Sequence, residues 1–74
     1  MLEKVIEILS EFTVLEKNKI CEQSSLVVDL ELNSLDVINV MVAFEEEFDI
    51  EIPDQKIKDL VTVGDITKYL EEHV

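Results

Sequence analysis

The segment from Ser34 to Phe48 carries two separate rows of apolar side chains at helical spacing. At about 100° per residue, the first row falls within one sector and predicts the core-facing side of a helix. Its members are Val37, Val40, Met41, Phe44 and Phe48. Leu35, Ile38 and Val42 form the second row, which a helix on the outside of a small bundle cannot bury completely. The second row therefore predicts either a helix flanked by two neighbours or a surface that docks a partner.

Upstream of this helix, apolar residues recur at helical spacing from Leu2 to Leu15 and predict a first helix. A long connection over about residues 16–33 follows, and loops of this length in compact domains are often functional. We expect apolar side chains to tie the connection to the core, with a short helical turn inside it. These side chains are Ile20, Leu26, Val27, Leu30 and Leu32.

Downstream, residues 49–52 alternate like a strand but are too few to form one without a partner, so an extended connector is expected. Pro53 can open a short third helix that includes Ile57, Leu60 and Val61. Thr62 and Asp65 have the spacing of a capping box and predict the start of a last helix. The apolar stripe of that helix is Val63, Ile66, Leu70 and Val74.

The predicted fold class is therefore all-α: a small four-helix bundle of three longer helices and a short third helix, with a long loop between helices 1 and 2. A chain of 74 residues is expected to form a single domain, residues 1–74. One cysteine excludes an internal disulfide, and no apolar stretch approaches the roughly 20 residues of a membrane span. The N-terminal residues do not resemble a signal peptide, so a cytoplasmic location is expected.

The net charge of the chain limits the classes of macromolecule that it is expected to bind. The chain has 18 acidic residues against six lysines and no arginine, for a net charge of −12. Residues 20–55 contain ten acids and no base. Binding to nucleic-acid phosphates is therefore not expected, whereas an acidic face suits basic protein partners.

Ser34 stands where the connection meets the predicted helix, directly after Asn33. A helix N-terminus exposes unsatisfied N–H groups and partial positive charge, which suits a phosphate. Serine and asparagine are also favoured helix caps, so a cap alone would explain them. Asp36 lies three residues after Asn33 and can complete a capping box.

The residues around Ser34 resemble those of the acyl carrier protein family. The resemblance rests on Asp29-Leu30, on Asn33-Ser34-Leu35-Asp36, on residues 44–54 (FEEEFDIEIPD) and on residues 62–66 (TVGDI). It implies that Ser34 bears 4′-phosphopantetheine donated from coenzyme A by a phosphopantetheinyl transferase, with Asn33, Leu35 and Asp36 beside the attachment point. It also implies a carrier rather than an enzyme, with no catalytic residue. No site for a tightly bound metal is expected, because Asp29, Glu31 and Asn33 have ligand-like spacing but the residues that follow do not complete a calcium-binding loop.

The same resemblance implies a docking surface for basic-surfaced fatty-acid or polyketide synthesis enzymes. Its residues would be Leu35, Asp36, Ile38, Met41, Val42, Glu45 and Glu46. It further implies an acyl pocket between the helices, with Leu26, Phe44, Ile52 and Leu60 as candidate lining residues. A monomer is expected.

Two departures from the family pattern lie just before the serine, where glycine is replaced by Glu31 and an acid by Asn33. Loss of glycine removes a residue that tolerates positive φ, so a different loop conformation is expected. Alternatives are a carrier of polyketide or amino-acyl intermediates and an unmodified acidic adaptor protein. Weak divalent binding at Glu45-Glu46-Glu47 and an incidental, partly buried Cys21 thiol are also expected.

Overall fold

The computed structural model describes all residues from 1 to 74, and its regular elements are all helical. The helices are α1 (Leu2–Leu9), α2 (Ser34–Phe48), α3 (Asp54–Ile57) and α4 (Val63–His73), with a 3₁₀ turn at Lys17–Lys19. No strand forms, and α1 packs against both α2 and α4. The predicted all-α class, the short third helix and the short helical turn in the long loop are confirmed. None of the helices has the length and apolar character needed to cross a membrane.

Helix α2 has the bounds predicted from its apolar pattern because both of its ends are fixed locally. The Asp36 N–H donates to Asn33 Oδ1 at 2.8 Å, and the Asn33 N–H donates to Asp36 Oδ2 at 3.4 Å. These two bonds complete the capping box and satisfy two N–H groups at the N-terminus. At the other end, Asp49 adopts a left-handed conformation with φ 54°, a conformation that aspartate tolerates and that stops the helix.

Helix α1 ends at Leu9 rather than at the predicted Leu15, so its predicted length is wrong. After Leu9 the backbone tightens, and the Phe12 N–H donates to the Leu9 carbonyl, three residues earlier. Thr13 then turns away from the helix because its hydroxyl donates to the distant Leu30 carbonyl at 2.9 Å. Threonine is β-branched and has low helix propensity, and its bond to the Leu30 carbonyl further favours the turn over a longer helix.

The long loop is held by its own apolar residues and by backbone bonds to the junction between α3 and α4. The expected burial of Ile20, Leu26, Leu30 and Leu32 is confirmed, whereas Val27 is 62% exposed and does not tie the loop down. Three bonds join the two segments: Leu26 N–H to Val61 C=O (3.0 Å), Val63 N–H to Ser24 C=O (3.0 Å) and Gly64 N–H to Glu22 C=O (2.9 Å). The loop therefore stacks beside residues 61–64 without forming a sheet.

The C-terminal elements follow the predicted pattern with two differences. Leu60 and Val61 lie beyond the end of α3, where Leu60 is buried and Val61 is exposed. The Thr62–Asp65 capping box is confirmed at the start of α4. The buried stripe of α4 contains Val63, Ile66 and Leu70, together with Thr67 and Tyr69, but Val74 is exposed because it follows the end of the helix.

Glu31 adopts φ 57°, a left-handed conformation that glycine accepts more readily than glutamate. The glutamate backbone therefore bears steric strain at this position. A loop conformation different from that of relatives with glycine stays a prediction.

We predict that Glu31→Gly raises the free energy of unfolding relative to Glu31→Gln. Relief of the left-handed strain is worth about 1–2 kcal/mol, and the extra flexibility of glycine in the unfolded chain costs about 0.5–1 kcal/mol. The Gly variant should therefore exceed the Gln variant by about 0.5–1 kcal/mol in urea unfolding. Both variants remove the same charge, so equal stabilities would contradict the proposed strain.

The acidic surface has little compensation within the chain. The single ion pair joins Lys4 Nζ to Glu47 Oε2 at 3.3 Å, and both side chains are about half exposed (59% and 45%). A pair of this kind contributes little stability, so repulsion among the 18 acids is largely uncompensated.

We predict that added salt, or Mg²⁺ at millimolar concentration, raises the melting temperature at neutral pH. Screening shortens the range of repulsion to about 8 Å at physiological ionic strength, which reduces its cost in the folded state. Thermal unfolding followed by circular dichroism across a NaCl series and a MgCl₂ series measures the effect. A melting temperature that stays constant across both series would show that repulsion does not limit stability.

Candidate functional site

The Ser34 hydroxyl is exposed at the first residue of α2 and makes no hydrogen bond within the chain. The capping bonds at this helix end are made by the side chains of Asn33 and Asp36 instead. Capping alone therefore does not explain the serine. Its hydroxyl is free to be modified, and it stands where the partial positive charge of the helix N-terminus is greatest.

Ser34 lies on the wall of an apolar cleft with a volume of about 550 Å³. The long loop, the first turns of α2 and the segment after α3 form its walls. Eight apolar side chains line it: Leu26, Val27, Leu32, Val37, Ile38, Ile57, Leu60 and Val61. The other lining residues are Asn33, Ser34 and Lys58, so the cleft joins an exposed hydroxyl to a largely apolar space.

The second apolar row of α2 stays on the surface. Leu35, Ile38 and Val42 are 66%, 49% and 45% exposed, which is high for large apolar side chains. Neighbours therefore do not cover this face, and a row of exposed apolar residues on a helix is typical of a docking surface. Met41 is only 1% exposed, so its expected role in docking is wrong. Its place in the core-facing row is confirmed.

The four candidate acyl-pocket residues occupy two different environments. Leu26 and Leu60 line the cleft beside Ser34. Phe44 and Ile52 do not line it but belong to the buried core, at 0% and 5% exposure. Val27 and Ile57 line the cleft although neither was expected there.

Glu45 and Glu46 also differ in surroundings. Glu45 Oε2 accepts a hydrogen bond from the Ile52 N–H at 2.8 Å, which fixes the connector after α2. Glu45 is half-buried, whereas Glu46 is exposed. Glu46 and the half-buried Asp36 are available as a charged rim beside the apolar row. If Glu45 also contacts a partner, as expected, it does so with a carboxylate that already accepts the hydrogen bond from the Ile52 N–H.

Comparison with known proteins matches this arrangement to one family. Residues 3–70 match the model described as "Phosphopantetheine attachment site". The acyl carrier protein of Phenylobacterium zucineum is 42% identical over 74 residues, which cover 100% of this chain and 94% of that protein. The acyl carrier protein of Zymomonas mobilis is 41% identical, covering 96% of this chain and 91% of that protein. The chain belongs to the acyl carrier protein family.

A solved structure agrees with this assignment along nearly the whole length. The acyl carrier protein from Enterococcus faecalis superposes with a TM-score of 0.85 at 29% identity, covering 99% of this chain and 92% of that chain. The chain is therefore a carrier rather than an enzyme, and its cofactor is 4′-phosphopantetheine. As a family member, it acts with synthesis enzymes and with a modifying transferase.

The residues around Ser34 fit this cofactor. An exposed serine hydroxyl can form a phosphodiester, and the start of a helix accommodates the negative charge of the phosphate. The apolar cleft adjoins the same hydroxyl, so a group tethered there can reach apolar walls. The tether supplies the thiol that carries acyl groups as thioesters. This region therefore supplies three features that suit an acyl carrier: a free hydroxyl, a helix end that tolerates an anion, and an adjoining apolar cleft.

Two other chemically notable side chains, Cys21 and His73, do not line the cleft. Cys21 is exposed, so its expected partial burial is wrong. The pKa of its thiol is lowered by a hydrogen bond with the Ser24 hydroxyl and by the Gln23 backbone. His73 lies in the last turn of α4, where Nδ1 contacts the Tyr69 carbonyl oxygen at 2.8 Å. No cluster of three or more His, Cys, Asp or Glu side chains is arranged to hold a metal ion.

We predict that Glu45→Ala destabilises the carrier by about 1.5–3 kcal/mol, the usual worth of a hydrogen bond to a charged group. The substitution leaves the Ile52 N–H without its acceptor beside a buried side chain. Glu46→Ala removes the same charge from the next residue and should change stability by less than about 0.5 kcal/mol. Urea unfolding of both variants measures the difference. Equal losses would show that the Glu45 bond contributes nothing.

Proposed function

We propose that Ser34 bears the 4′-phosphopantetheine arm and that the chain presents acyl thioesters on it to enzymes of fatty-acid synthesis. The observation that carries this proposal is the free, exposed Ser34 hydroxyl at the start of α2, on the wall of the apolar cleft. Support also comes from the family match, whose residues 3–70 include this serine.

Modification of Ser34 requires a partner enzyme. A serine hydroxyl is a weak nucleophile unless a base activates it, and neither a histidine nor a carboxylate lines the cleft. The transferase supplies the base that takes the hydroxyl proton. The bond between Ser34 Oγ and phosphorus forms as the pyrophosphate bond of coenzyme A breaks, and the nucleotide fragment leaves.

Partner enzymes would dock on the exposed row of α2. Leu35, Ile38 and Val42 supply an apolar centre, and Asp36 and Glu46 supply acidic groups at its edge. An apolar centre with a charged rim is the usual anatomy of a protein interface. The acidic rim would select partners with basic surfaces and make association sensitive to salt.

The cleft would shelter the acyl chain between these encounters. Leu26 and Leu60 remain proposed pocket residues, and Val37 and Ile57 join them on the walls. Because these side chains are apolar and adjoin Ser34, burial of each methylene group of the cargo would contribute about 0.8 kcal/mol. Phe44 and Ile52, the other two candidate pocket residues, belong to the buried core and would meet the acyl chain only if it entered the core.

Residues 1–74 would act as one carrier domain and as a monomer. We place it in the cytoplasm, because the exposed Cys21 thiol suits a reducing compartment.

We predict that incubation with coenzyme A and a broad-specificity phosphopantetheinyl transferase adds one phosphopantetheine mass to the protein. Ser34→Ala should abolish the gain because no other hydroxyl occupies the start of α2. Intact-mass spectrometry measures the product. Ser10→Ala serves as the matched control, since Ser10 only caps the end of α1 through a bond to the Glu7 carbonyl. A gain that persists in Ser34→Ala, or fails in the unsubstituted chain, would refute the assignment.

A further inference from the structure

Lys58 is the only charged side chain on the wall of the apolar cleft. It is the C-cap residue of α3, so it reaches the cleft from the end of that helix, whereas Ser34 reaches it from the start of α2. Its side chain is exposed, which lets the alkyl stem lie along apolar residues while the ammonium group stays in water. The cleft therefore has a hydroxyl on one wall and a cation on another.

The ammonium group of Lys58 has no acidic partner within the chain. The single ion pair joins Lys4 and Glu47, so no carboxylate lies within 4.0 Å of Lys58 despite 18 acids in the sequence. Other lysines are also unpaired, but none of them lines this cleft. An unpaired cation beside an apolar space is available to an anion that arrives there.

The charged residues near Ser34 in the sequence are acidic, so a phosphate attached there would be stabilised by a nearby cation. No lysine occurs between Ile20 and Gln55, and Glu31 and Asp36 lie within three residues of the serine. The capping box already occupies one N–H at the start of α2. A phosphodiester on Ser34 would add negative charge where the nearby charged residues are acidic, so a cation on the cleft wall would add to the compensation that the helix N-terminus provides.

We propose that the Lys58 ammonium pairs with the phosphodiester that links the arm to Ser34. The pairing rests on the proposed attachment at Ser34 and assigns Lys58 a positioning role toward the arm. It joins the start of α2 to the end of α3 once the carrier is modified. In the unmodified chain the same lysine has no partner, so the contact distinguishes the two forms.

The test compares Lys58→Met with Lys56→Met before and after modification. Lys56 lies on the same helix but does not line the cleft; it borders a separate depression with Asp59 and Asp65. Both substitutions remove one positive charge, and intact mass verifies that each protein has received the arm. Thermal unfolding then gives the change in melting temperature on modification, at about 0.01 M and about 1 M salt, where the screening lengths are about 30 Å and about 3 Å.

At low salt, we expect the change in melting temperature on modification to be about 1–6 °C smaller for Lys58→Met than for the unsubstituted chain or for Lys56→Met. A difference of this size corresponds to one exposed ion pair in a small domain. At high salt the three shifts should converge. Lys58→Arg should restore the shift because it keeps the charge. Equal shifts for the Met variants at low salt would overturn the pairing.

Phosphorus NMR gives a second readout that does not depend on stability. We expect the phosphodiester resonance of the modified protein to move in Lys58→Met and to remain in place in Lys56→Met. An unmoved resonance in both variants would also overturn the pairing. Absence of any mass gain in the unsubstituted chain is a separate failure, since it removes the attachment itself.

Discussion

Burial of the inner face of α2 is the interaction on which the other elements depend. Val40, Met41 and Phe44 are at most 1% exposed, and the Phe44 ring packs 6.3 Å from that of Phe48. Removing a buried phenylalanine typically costs about 3–5 kcal/mol, a large fraction of the stability of a domain this small. Since α1 packs on α2 and α4, this face orients the helix whose first residue is Ser34.

The orientation fixed by the core decides what the outer face of α2 can do. With its inner row buried, the helix must expose the row that contains Leu35, Ile38 and Val42. These apolar residues begin immediately beside Ser34, so a partner bound to them is already adjacent to a group attached there. The same helix therefore packs in the core and carries both Ser34, the proposed attachment point, and the exposed row that we propose as a docking surface.

Much of this arrangement could be predicted because its determinants are local. The bounds of α2 and the capping boxes at Asn33 and Thr62 follow from residues within a few positions of each other. The periodicity also placed Met41 correctly in the core, whereas assigning it to docking by resemblance was wrong. A helical repeat reports directly on burial, but a residue role transferred from relatives does not.

Other features could not be predicted because they depend on contacts between distant segments. The end of α1 depends on the bond from Thr13 to the Leu30 carbonyl, and the surroundings of Glu45 depend on the Ile52 N–H. The cleft is likewise formed by three segments that meet only in the folded chain. The positive φ of Glu31 could not be predicted either, because glutamate does not favour that conformation.

The close approach of Gly64 to Glu22 has a consequence for the size of the cleft. A Cβ at position 64 would lie 3.2 Å from the Glu22 carbonyl oxygen, so the two segments would have to separate by a few tenths of an ångström. These segments continue directly into Leu26 and Val61, which are joined by a backbone bond and both line the cleft. A side chain at position 64, which does not itself line the cleft, would therefore displace two residues that do.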